Sequence, residues 1–75
     1  GRQYRAPLGT PVQVVFDGTV AFSGWTPGYG HTIVIDHGDN YYSVYAHVAK
    51  PRIKVDEQVE RGQTIAEAGA SSRQY

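Results

Sequence analysis

Three histidines, His31, His37 and His47, fall in one strand-rich stretch and are the residues best suited to do chemistry. An imidazole can move a proton, ligate a metal or simply satisfy a hydrogen bond. The carboxylates Asp17, Asp36 and Asp39 sit at or beside turn signals, a poor arrangement for a paired-carboxylate site. With no cysteine, the chain has no disulfide, thiol nucleophile or thiolate metal site. It also lacks a glycine-rich phosphate loop and a G-x-S-x-G elbow. A second constellation is aromatic: Trp25, Tyr29, Tyr41, Tyr42 and Tyr45. Such side chains suit a glycan or peptide groove, or a protein interface. Ordinary strand packing accounts equally for Tyr41, Tyr42 and Tyr45. Trp25 and Tyr29 lie in a Gly/Pro segment, where contact with a ligand or partner is the better explanation.

The elements that position these residues are short strands between turns. Pro11 to Phe16 is apolar and β-branched, Asp17-Gly18 is a hairpin signal, and Thr19 to Ser23 reads as the partner strand. Gly24 to Gly30 reads as a loop. His31 to Asp36 alternates, with Ile33 and Ile35 on one face and Thr32, Val34 and Asp36 on the other. Gly38-Asp39-Asn40 makes the next turn, Tyr41 to His47 another strand, and Pro51 a break. From Val55 to Glu67 the β-branched residues and Gly62 favour short strands, with Val55, Val59 and Ile65 disposed around a turn, over a helix. Gly9-Thr10-Pro11-Val12 and the stretch from Val59 to Gln63 echo each other as strand-edge turns. The expectation is an all-β, barrel-sandwich-like antiparallel sheet with no long helix.

Composition narrows the classes. Seventy-five residues hold one domain with a thin core. Forty per cent hydrophobic residues is enough for the chain to fold. The formal net charge of zero leaves no basic excess to neutralise phosphates, so nucleic acid is not an expected partner. No apolar run reaches membrane-spanning length, and no signal peptide is recognisable. Gly1 is compatible with an internal cut point.

The run from Gly28 to Gly38, followed by Tyr45-Ala46-His47, resembles the central hairpin of the LytM (lysostaphin-like, M23) cell-wall peptidases, where "YGNxVxIDHGxGYxTxYAH" recurs. The resemblance covers nearly the whole chain, so residues 1–75 are expected to form a LytM/M23-like domain incomplete at both ends. It implies an envelope location, periplasmic or extracellular, and a zinc hydrolase ancestry. Such an enzyme needs three protein ligands and an open position for water. The family pattern "GIDIAAPLGTPV" aligns without gaps on Gly1 to Val12 and places Gln3 where the ligand aspartate stands. A neutral glutamine carbonyl is a poor zinc ligand. The first ligand histidine would precede Gly1, and the H-x-H motif would follow Tyr75. His47 alone matches a functional histidine, which in the family is catalytic and not a ligand; here it is expected to be vestigial. No metal or other cofactor is therefore expected, although active family members use zinc.

His31 is read as a strand-edge or groove-lining hydrogen bonder, and His37 as a structural turn residue. The expected binding groove combines Trp25, Tyr29, His31 and Tyr45 with His47. The "GWTPGYG" segment resembles a loop of the EnvC-like murein hydrolase activators, relatives that have lost zinc ligands. That resemblance implies a degenerate module whose partner is a peptidoglycan amidase or other murein hydrolase, with peptidoglycan itself a further candidate. Two alternatives stay open. One is a fragment of an active zinc endopeptidase that cleaves peptidoglycan cross-links. The other is a barrel-sandwich carrier, because Val55 to Ile65 resembles the biotinyl/lipoyl and phosphocarrier pattern. A biotinyl or lipoyl carrier needs a lysine at a hairpin tip, and only Lys50 and Lys54 are available.

Overall fold

The computed structural model describes residues 6–70. The readings that fall on Gln3 and on the segment after Ala70 lie outside them. Seven strands follow in order: β1 (Pro11–Gln13), β2 (Gly18–Thr26), β3 (Gly30–Asp36), β4 (Tyr42–Tyr45), β5 (Val48–Ala49), β6 (Gln58–Val59) and β7 (Thr64–Ala68). They build two antiparallel sheets, ordered β1-β7-β5 and β4-β3-β2-β6. No helix occurs among the described residues. The all-β antiparallel expectation holds.

The two sheets enclose one core of Val14, Val20, Ile33, Ile35, Val48, Ile53, Val59, Ile65 and Ala66, with Val12 and Tyr45 packed against it. Ile33 and Ile35 are fully buried, as their alternation predicts. Removing each such side chain from water stabilises the fold by about 1.5–3 kcal/mol. Val55 does not join them. It is half exposed at the second position of a turn, so its β-branched character marks no core position.

The Asp17-Gly18 hairpin does not form. β1 pairs with β7, in the other sheet, and β2 pairs with β3 and β6. The segment after β1 stays with the distant chain: Val14 N–H donates to the Gln63 carbonyl, and Gly62 N–H donates to that of Val14. The Asp17 carboxylate accepts from the Arg61 amide at 2.8 Å. Asp17-Gly18 is thus a corner where the chain changes sheets. The Gly38-Asp39-Asn40 turn is where the sequence places it. It closes with His37 N–H on the Tyr41 carbonyl and Tyr41 N–H on that of Gly38.

Gly24 to Gly30 is not one loop. β2 runs on through Gly24, Trp25 and Thr26, leaving only Pro27-Gly28-Tyr29 as the turn. A Cβ on Gly24 would stand 3.1 Å from the Phe22 ring, which lies over that glycine and fills its missing side-chain space. A bulge between Val20 and Phe22 leaves Ala21 without a partner. The inserted residue resets the alternation, so that Val20, Ser23 and Trp25 pair with Ile35, Ile33 and His31 on one face of the ladder, Val20 buried and Trp25 exposed at its far end.

The sequence echo has a structural counterpart. Thr10 N–H donates to the Pro7 carbonyl, Gln63 N–H to Glu60, and Glu57 N–H to Lys54. All three turns carry a positive φ at the third residue: Gly9, Gly62 and Asp56.

Candidate functional site

The β2–β3 hairpin tip and the corner between β4 and β5 meet at one end of the molecule. Paired residues of an antiparallel ladder share a face, so Trp25 stands opposite His31, and Ser23 opposite Ile33. The His31 Nε2 atom lies 3.1 Å from the Ser23 hydroxyl. Trp25 is three-quarters exposed and Tyr29 half exposed.

His47 reaches the same place by a different route. β4 belongs to one sheet and β5 to the other, and only Ala46 and His47 lie between them. The chain turns that corner with His47 at φ 56°, in the left-handed region. Histidine visits that region more readily than most side chains, and the strain is on the order of 1 kcal/mol. Two hydrogen bonds hold it there. His47 N–H donates to the Tyr29 carbonyl at 2.8 Å, and the His47 carbonyl accepts from Gly69 N–H at 2.8 Å. A Cβ placed on Gly30 would lie 3.5 Å from His47 Nδ1 and 3.7 Å from Trp25 Cζ3. The missing side chain of Gly30 therefore leaves the shared space into which the imidazole and the indole both reach.

Trp25, Tyr29, His31 and His47 are thus gathered at one rim. Tyr45 stands apart. It is half-buried against the core, opposite Ile33, and its hydroxyl accepts from Val15 N–H at 3.3 Å. Ser23, Gly30 and Gly69 belong to the site as well. Sequence reasoning did not single them out, because small residues carry no signature when their role is to leave room. The pattern that could have flagged Gly30 is its place directly before His31 in the hairpin motif.

His37 lies at the opposite end and serves the fold. A carbonyl can only accept, so Nδ1 carries the proton and donates to the Asp17 carbonyl at 2.9 Å. In the neutral ring, Nε2 then accepts from the Ser43 hydroxyl at 2.7 Å. Phe16 and Tyr41 pack around the ring. An open depression of about 720 Å³ nearby is lined by Asp17, Asp36, His37, Gln58 and Glu60. Its aspartates are already used: Asp36 accepts from Gly38 N–H, and Asp17 from Arg61 N–H. Trp25, Tyr29, His31 and His47 do not line this hollow.

Among the described residues, no group of three or more His, Cys, Asp or Glu side chains converges as a metal site. At the rim, His31 Nε2 lies 3.1 Å from the Ser23 hydroxyl, and the described residues add no third His, Cys, Asp or Glu to His31 and His47 as a metal-holding group. No helix among the described residues is long and apolar enough to cross a membrane. Lys50 and Lys54 flank the strandless stretch around Pro51, not the tip of a hairpin where a biotinyl or lipoyl carrier holds its cofactor.

Comparison with known proteins agrees with the motif. Peptidase family M23 matches residues 1–75. The chain is 35% identical over 72 residues to the cell division protein DipM of Caulobacter vibrioides, covering 95% of this chain and 12% of that protein. It is 36% identical over 73 residues to the peptidoglycan DD-endopeptidase ShyC of Vibrio cholerae, covering 97% and 17%. It is 38% identical over 69 residues to the murein hydrolase activator EnvC of Escherichia coli, covering 92% and 16%. The chain therefore spans less than a fifth of the length of these relatives. A crystal structure of a Pseudomonas aeruginosa protein assigned to peptidase M23 superposes with a TM-score of 0.86 at 33% identity, covering 93% of this chain and 31% of that one. Sequence, strand order and superposition converge, and the chain belongs to peptidase family M23.

Proposed function

We propose that residues 1–75 are part of a non-catalytic M23 domain of the cell envelope, one that binds and activates a murein hydrolase, with an amidase as the partner class. The rim carries this reading: a three-quarters exposed Trp25 beside the imidazole of His47, with Tyr29 and His31 around them. An exposed indole next to a polar ring gains most when a partner covers it, and such aromatic anchors supply much of an interface's binding energy. Gln3 supports the same reading, because by alignment it replaces the ligand aspartate of the zinc enzymes. The 38% identity to a murein hydrolase activator is in line with it.

A second reading has its own support in the 36% identity to a peptidoglycan DD-endopeptidase. In that case the protein would cleave cross-links itself, with zinc ligands supplied from beyond these residues. One experiment separates the two. Purify the protein that carries this domain and assay a peptidoglycan amidase with and without it, comparing wild type with Trp25→Ala and His47→Ala. Amidase stimulation that weakens in both variants supports the activator. Zinc-dependent release of cross-link peptides with no amidase present overturns it in favour of the endopeptidase.

A further inference from the structure

We infer that Gly69 is a positioning residue for His47: its lack of a side chain lets the end of β7 close on the corner and fix the imidazole beside Trp25. The β5–β7 ladder pairs Val48 with Ala68 and Ala49 with Glu67, and one step further out it brings Gly69 against His47. There the Gly69 amide donates to the His47 carbonyl at 2.8 Å. A Cβ on Gly69 would stand 2.7 Å from that same oxygen, 3.2 Å from the Val48 carbonyl carbon and 3.3 Å from its oxygen. All three neighbours are backbone, so no side-chain rotation relieves the clash. Glycine is required here for closeness and not for an unusual φ.

The consequence passes through His47. Its left-handed backbone is held from both sides, by the Tyr29 carbonyl and by Gly69 N–H. An alanine at position 69 forces the end of β7 away and removes one of the two clamps. His47 can then relax toward an ordinary φ, which swings the imidazole out of the space over Gly30. The functional weight of this inference rests on the groove reading; the geometry does not.

The test uses the protein that carries this domain, with isotope-labelled histidine and magnetic resonance of the assigned imidazoles of His31, His37 and His47. Trp25→Ala first identifies the indole's ring-current contribution to the His47 signal. Gly69→Ala is expected to shift the His47 resonances and abolish that contribution, while His37, at the far end of the sheet, keeps its wild-type position. Gly62→Ala, at a strained turn with no atom near its Cβ, is the control and should move neither. An unchanged His47 in Gly69→Ala overturns the inference. So does a change that His37 shares in step, because that reports general loosening. If Gly69→Ala does not fold, the wild type decides through the scalar coupling across the Gly69 amide to His47 carbonyl bond. Its presence supports the clamp, and its absence overturns it. Failure of the groove reading would show instead as a wild type that stimulates no amidase while the imidazole shifts remain as described.

Discussion

The Nδ1–H of His37 donates to the Asp17 carbonyl at 2.9 Å, tying the corner after β1 to the β3–β4 turn across twenty residues of chain. The other nitrogen engages Ser43, so a single ring links three segments.

His37→Ala should therefore destabilise the fold although the residue is only half-buried. Losing two hydrogen bonds and the packing of Phe16 and Tyr41 costs about 1–3 kcal/mol. Urea denaturation should show a lower midpoint with little change in slope. A midpoint within error of wild type would contradict this role.

Two glycine substitutions should differ sharply. A Cβ on Gly18 would lie 2.6 Å from both the Asp36 carbonyl oxygen, which is backbone and cannot rotate away, and Ile35 Cγ2 of the buried core. Gly18→Ala should cost about 3 kcal/mol or more. Gly62→Ala meets no atom and carries only the strain of φ 85°, about 1 kcal/mol. Thermal unfolding of both variants side by side checks the ranking, and equal losses would refute it.

Core truncations should separate buried from merely β-branched positions. Ile33→Ala and Ile65→Ala, both at fully buried sites, should each cost about 2–5 kcal/mol. Val55→Ala, half exposed in a turn, should stay within about 0.5 kcal/mol of wild type. Chemical denaturation of the three variants measures this directly.

Trp25→Ala should split stability from binding. The indole is three-quarters exposed, so unfolding free energy should change by less than about 0.5 kcal/mol. On the proposed activator reading, affinity for a partner hydrolase should fall by about 2 kcal/mol, or roughly thirtyfold. Calorimetric titration of the partner gives the second number. A large stability loss with unchanged affinity would mean that the indole serves the fold.

The legible parts of this chain were the local ones. The alternation of Ile33 and Ile35 and the Gly38-Asp39-Asn40 turn depend on neighbours in sequence, and both stand where the pattern put them. Asp17-Gly18 looked like a hairpin because turn chemistry is local. The strand before it pairs with residues 64–67, which no turn signal encodes. Gly24 and Gly30 on either side of Trp25 carry a loop signal, yet the strand continues through it, with the Phe22 ring over Gly24. The motif announced His31 and His47 as residues. It did not show that His47 turns a corner at positive φ, nor that Gly69 packs against its carbonyl, because both are properties of the assembled sheets.

The pairing of β1 with β7 sets an order of events during synthesis. β7 is the middle member of its sheet, so β1 and β5 have no shared neighbour until residues 64–68 have left the ribosome. The β2–β3–β4 meander needs nothing beyond Tyr45 and can form earlier. In the interval, the inner faces of Val20, Ile33 and Ile35 wait uncovered. A nascent chain stalled before Thr64 would hold a hairpin ribbon with a bare apolar side, the kind of surface that chaperones bind.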